Sequence, residues 1–168
     1  REGGQISGEA LGAVLPGVGN MGGFRTAGRL GRERYIALVT SGREPDWPDT
    51  LDPSTGEFVY YGDNRKPGHE LHDTEKGGNK LLQQTFEQLH AYPHRRYNIA
   101  PFLIFESART AVSSRSFKFR GLAAPGYPGL PATNDLVAVW KAAAGQRFQN
   151  YRATFSVLDA PVVSRQWL

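Results

Sequence analysis

The sequence predicts an α+β domain built on a strongly curved β-sheet or barrel, with one or two flanking helices. Three observations lead there. Short runs rich in aromatic and β-branched residues recur along the chain, and several alternate apolar with polar side chains as half-buried strands do. One stretch carries clear helical spacing. Glycine (20) and proline (11) are spread throughout, so the runs are punctuated by irregular loops rather than joined into long helices.

The elements follow in order. Residues 1–23 (REGGQISGEALGAVLPGVGNMGG) read as a loop-rich leading segment with room for one short helix. Residues 34–40 (RYIALVT) form a short apolar strand. Residues 42–56 hold three prolines and stay irregular. Residues 57–61 (EFVYY) are a strand by β-propensity, and residues 62–78 (GDNRKPGHELHDTEKGG) a long polar loop of the kind that often carries function. Asn79 is a candidate helix cap, and Leu82, Phe86 and Leu89 place one apolar stripe on a helix over 80–91. Further strands are expected at 101–106 (PFLIFE), 115–120 (RSFKFR), 135–140 (DLVAVW) and 151–158 (YRATFSVL), about six in all.

At 168 residues the chain fits a single domain with a core large enough to need no staples. It has no cysteine, which removes disulfides, thiolate metal sites and a cysteine nucleophile, and fits a reducing compartment. No apolar run approaches a membrane-spanning length, so no membrane partner is expected. The net charge of +4 is unevenly distributed: residues 1–104 carry 12 basic and 13 acidic side chains, residues 105–168 carry 8 and 3. Five carboxylates and no Lys or Arg fall between Glu44 and Glu57. An acidic stretch beside a basic half calls for a partner that uses both.

Nucleophile-elbow and phosphate-loop motifs are absent. His69, His72, Glu70 and Asp73 lie together on the long loop, but without H-E-x-x-H spacing, and no catalytic, metal or cofactor site is expected. The informative stretch is 46–61. Trp47 and Tyr60 are large flat rings, and Asp49 is a short acceptor between them. A planar base needs stacking walls and a hydrogen-bonding edge, and a carboxylate accepts from the exocyclic amine of cytosine. The same residues serve equally as core rings and a turn cap. An enzyme using His69, His72 and Asp73, or an RNA-binding module, are the rival readings.

The order of features resembles the SRA (SET and RING-associated) domain, a reader of modified cytosine in the PUA-like superfamily. Gly17-Val18-Gly19-Asn20-Met21-Gly22-Gly23 resembles its early glycine-rich loop. The Trp47/Asp49 stretch followed by Phe58-Val59-Tyr60-Tyr61-Gly62 resembles its acidic loop and aromatic strand. Asn79-Lys80-Leu81 resembles the helix start after its DNA-contacting loop, and Asn134 to Trp140 with Phe155 to Leu158 its closing strands. The passage FVYYGDNRKPGHELHDTEKGGNKLL is closest to the N-terminal domains of AspBHI/MspJI-type modification-dependent restriction endonucleases.

The resemblance implies a recognition domain spanning 1–168, itself not an enzyme, whose partners are double-stranded DNA carrying modified cytosine and a nuclease domain of the same parent protein in a bacterial cytoplasm, at the nucleoid. A modified cytosine is flipped into a pocket of Trp47, Tyr60, Tyr61 and a carboxylate, either Asp49 or Asp52. The implied DNA contacts are Asn20 and Met21 on the glycine loop, Asn64, Arg65, Lys66 and His69 on the long loop, and Arg25, Lys80, Lys118 and Arg120 on phosphates.

Overall fold

The alternation of side chains builds a sheet that is buried on both faces. In β2 (Arg32–Thr40), Ile36 and Leu38 enter one apolar cluster while Tyr35 and Ala37 enter another. In β5 (Phe102–Ala108), Phe102 and Ile104 join the first and Leu103 and Phe105 the second. These runs read as continuous apolar segments because each successive side chain finds its own core. β2 and β5 pair in parallel, and every other pairing is antiparallel.

The computed structural model describes residues 10–19, 22–29, 31–108, 110–111, 116–160 and 162–164. Besides β2 and β5, the strands are β1 (Phe24–Arg29), β3 (Thr50–Leu51), β4 (Glu57–Tyr61), β6 (Ser116–Pro125), β7 (Leu136–Ala143) and β8 (Gln146–Val157). The sheet order is β1-β2-β5-β6-β8-β4-β3, with β7 also on β8. β1 and β3 end this order without pairing, so the sheet is open and mixed and not a closed barrel. β8 is the long member. β4 lies along residues 152–156 on one edge, while β7 and then β6 share the other.

Helix α2 (Gly78–Ala91) closes the larger core with Leu81, Leu82 and Phe86, while α1 (Ala10–Val14) supplies Leu11 to the smaller one. The expected apolar stripe on α2 is present, but its start is fixed differently. Asp63, not Asn79, caps the helix: its carboxylate accepts the Gly78 and Asn79 N–H groups at 2.9 and 2.8 Å and the Thr74 hydroxyl at 2.8 Å. The loop leading to α2 is thereby tied shut. Asn79 turns inward, donating Nδ2 to Leu71 O at 2.9 Å and accepting the Asp63 N–H at 3.2 Å.

Four elements escaped the sequence, and one of them, β3, lies within residues 42–56, expected to be irregular, where Thr50 and Leu51 become strand by pairing with β4. β1 carries polar residues and a bulge between Ala27 and Gly28, and it is a strand because β2 pairs it. The 3-10 segment Pro93–Asn98 and α3 (Ala132–Asp135) are too short for periodicity to register. No helix among the described residues is long and apolar enough to cross a membrane.

Candidate nucleic-acid interface

β3 folds the acidic stretch back onto β4 through the pairs Thr50↔Val59 and Leu51↔Phe58. That register delivers Asp49 to the end of β4, where its Oδ1 accepts the Tyr61 N–H at 2.8 Å. The residue is only 9% exposed. Burial pushes its carboxyl pKa up, and the opposing pulls of the Tyr61 N–H, the Arg65 guanidinium and the Thr40 hydroxyl do not reverse this. Tyr60 lies beside it, fully enclosed, and its phenol is raised far above the usual range by burial and then by the Asp49 charge. Gly23 makes this packing possible: a Cβ there would stand 2.8 Å from Val39 O and 2.9 Å from the Tyr60 hydroxyl.

Arg65 joins the two. Its Nη2 stands 3.5 Å from Asp49 Oδ2 and its Cζ 5.9 Å from the Tyr60 ring centroid. It also donates to Gly62 O at 3.3 Å and Tyr61 O at 3.2 Å. A flat cation with edge donors therefore rests between a carboxylate and an aromatic ring.

Asp49 also lines a cavity of about 170 Å³ with Thr40, Phe58, Ile104, Glu106 and Arg120. Its floor is apolar, and its mouth holds the Glu106–Arg120 pair, joined by Nε–H···Oε2 at 2.6 Å. A wider depression of about 580 Å³ lies elsewhere, among Arg32, Gln84, Gln88, Tyr92 and Arg95, and none of the aromatic–carboxylate residues reaches it.

Trp47 and Tyr60 do not face one another. Successive residues of β4 project to opposite faces, and Trp47 takes the Tyr61 side, with ring centroids 5.5 Å from Tyr61 and 5.9 Å from Phe148. Tyr60 packs on Phe24 and Phe58 at 6.4 and 6.0 Å. The arrangement of Trp47 and Tyr60 as two opposed walls is corrected accordingly. Trp47 instead braces the long loop, its indole N–H donating to Arg65 O at 3.2 Å, with Lys141 Nζ 4.8 Å over its ring.

Of the two candidate carboxylates, only Asp49 belongs to this cluster. Asp52 is exposed and engaged in its own turn, accepting the Ser54 N–H at 2.8 Å and hydroxyl at 2.6 Å, which lowers its pKa.

Two expected DNA contacts are corrected by burial. Asn64 is 2% exposed, and its Nδ2 donates to His69 O and Gln149 O at 3.2 and 2.8 Å. Arg25 is 6% exposed, with Nε donating to Gly22 O at 2.7 Å and its guanidinium 5.5 Å from the Phe117 ring. Lys66, His69, Lys80 and Lys118 are exposed, and Arg120 is engaged by Glu106. Asn20 and Met21 lie outside the described residues.

His72 hydrogen-bonds the Tyr151 hydroxyl at 2.8 Å, and no group of three His, Cys, Asp or Glu among the described residues is placed to hold a metal.

Sequence reasoning missed the buried amide hub that positions the long loop. Asn150 Nδ2 donates to Gly62 O at 3.1 Å, and its Oδ1 accepts the Asn64 N–H at 3.2 Å. The signal was there: an asparagine inside the otherwise alternating strand QNYRATF.

The profile of the family described as "Restriction endonuclease AspBHI N-terminal" matches residues 2–168. The structure is similar to the "DNA recognition domain of the cytosine modification-dependent restriction endonuclease LpnPI", with TM-score 0.91 and 48% identity over 98% of this chain and 74% of that one. It is similar to "DNA modification-dependent restriction endonuclease AspBHI", with TM-score 0.87 and 47% identity over 98% of this chain and 42% of that one. A more distant likeness is to "MspJI Restriction Endonuclease in Complex with 27-mer Oligonucleotide", with TM-score 0.57 and 25% identity over 75% of this chain and 29% of that one. No curated protein matches the chain.

Proposed function

This chain belongs to the restriction endonuclease AspBHI N-terminal family, and from that premise we propose that it is the DNA-recognition module of a modification-dependent restriction endonuclease. It binds double-stranded DNA containing 5-methylcytosine or a related modified cytosine, and takes the modified base out of the stack. Catalysis belongs to a nuclease domain elsewhere in the parent protein. The family match, the LpnPI and AspBHI likenesses and the oligonucleotide in the MspJI structure support this reading.

The single observation that carries the base pocket is Asp49. A carboxylate buried against the preference of its own ionised form needs a reason to stay, and an amine-bearing base edge supplies one. In this reading Asp49 accepts from the exocyclic amine of the extruded cytosine. The base takes the place beside Tyr60 that the Arg65 guanidinium occupies. Arg65 is displaced toward the duplex, where its bidentate donors match guanine or phosphate. The apolar surface of Phe58 and Ile104 receives the 5-substituent. Extrusion costs a few kcal/mol, and base–aromatic stacking returns about 1–3 kcal/mol. A methyl group adds only about 0.8 kcal/mol, so cavity shape contributes to discrimination.

The test is equilibrium binding to matched duplexes with and without one 5-methylcytosine, at a stated salt concentration. The native chain binds the modified duplex more tightly. Asp49→Ala abolishes most of that preference and leaves nonspecific affinity nearly intact. Equal affinity of the native chain for both duplexes would overturn the reading.

A further inference from the structure

The hairpin of β7 and β8 extends past the sheet. Along residues 146–151, β8 pairs with β7 alone, and β7 pairs with no other strand among the described residues. The result is a two-stranded ribbon with a slim tip, Ala142-Ala143-Ala144-Gly145, closed by a two-residue turn in which Ala144 and Gly145 both take positive φ.

Its two faces differ. One face is committed to the protein: Phe148 packs on Trp47, and Lys141 pairs with Asp46 at 2.6 Å. The opposite face presents Trp140, 59% exposed, with the Arg147 guanidinium 4.8 Å from its ring centroid. An indole left this open does no work in either core. The stacking sets the guanidinium over the indole, and Arg147 has no ion-pair partner among the described residues.

The ribbon is also continuous with the candidate interface. Asn64 Nδ2 of the long loop donates to Gln149 O at 2.8 Å, and His72 meets the Tyr151 hydroxyl at 2.8 Å. The loop bearing exposed Lys66 and His69 is thus bonded to the root of the ribbon bearing Arg147.

We propose that the β7–β8 ribbon is a second DNA-contacting surface, with Arg147 on a backbone phosphate and Trp140 packed against the adjoining sugar, outside the modified base. This inference rests on the reading that the chain binds duplex DNA, but not on the identity of the base it prefers. A contact of this kind adds affinity without sequence or modification preference, and one phosphate contact steepens the salt dependence by about 0.9 in log K against log salt.

Arg147→Gln and Trp140→Ala are the variants, and both positions are exposed, so thermal unfolding monitors that the fold is kept. Binding is measured on modified and unmodified duplexes from 50 to 200 mM salt. Arg147→Gln lowers the slope by about 0.9, so the native chain loses about threefold more affinity across that range than the variant does. Trp140→Ala weakens both duplexes by the same factor. In neither variant does the ratio between modified and unmodified duplex change. Unaltered affinity and slope in both folded variants would overturn the proposal, as would a loss confined to the modified duplex. A native chain indifferent to modification whose slope still falls in Arg147→Gln would sink the proposed function and leave the ribbon contact standing.

Discussion

Asp49 is an anion held where its surroundings favour the neutral acid. Its pKa in the folded chain lies above the ordinary 3.8, with burial the largest cause. The folded state therefore holds this proton more tightly than the unfolded chain, and stability falls as pH rises through the window from 3.8 to the folded value. Asp49→Asn keeps an acceptor for the Tyr61 N–H and removes the titration. The variant melts at or above the native temperature near neutrality, and its advantage shrinks as pH is lowered to 3.8 and below, as read by thermal unfolding across pH. The same substitution lowers binding to modified duplex, so stability and function move in opposite directions at this residue. Its chemistry was legible in the sequence as an acceptor between two rings. Which ring lies beside it was not, because that depends on which face of β4 meets which loop. Trp47 and Tyr60 are separated by a parity that no composition reveals.

At the scale of the element, α2 depends on a residue outside itself. Asp63 serves three donors across the long loop, and both N-terminal amides it accepts would otherwise lack partners. Asp63→Ala destabilises the chain by about 1–2 kcal/mol in urea unfolding, in the range of a lost helix cap. Lys66→Ala, on the exposed part of the same loop, stays within about 0.5 kcal/mol. Helix α2 was visible in the sequence because Leu82, Phe86 and Leu89 repeat at its period, and β2, β4 and β5 because their apolar content needs no context. The cap was not, because Asp63 and Gly78 are joined only once the loop between them has closed. The first turns of β8 escaped for a related reason. Gln146 and Arg147 are polar and exposed, and they are strand only by virtue of pairing with β7.

Across the whole molecule, the α+β class was legible, and the choice between open sheet and barrel was not, because closure depends on whether β1 and β3 meet. The charge asymmetry acquires a spatial meaning here. The basic C-terminal part supplies Lys118, Arg120, Lys141 and Arg147, and two of these are engaged, Arg120 by Glu106 of the same part and Lys141 by Asp46 of the more acidic part. Asn64 and Arg25, polar and basic in the sequence, are buried in the fold. β8 carries a further consequence. Ala153 is flanked by Tyr60 on one edge and Leu136 on the other, and Ala153, Thr154 and Phe155 are wholly enclosed. Backbone amides there have no local route to solvent, so in deuterium-exchange mass spectrometry the centre of β8 takes up label last, at the rate of global unfolding. The aromatic–carboxylate cluster, through β4, and the ribbon, through β7, are both anchored on that strand, so a substitution that frees the centre of β8 loosens both at once.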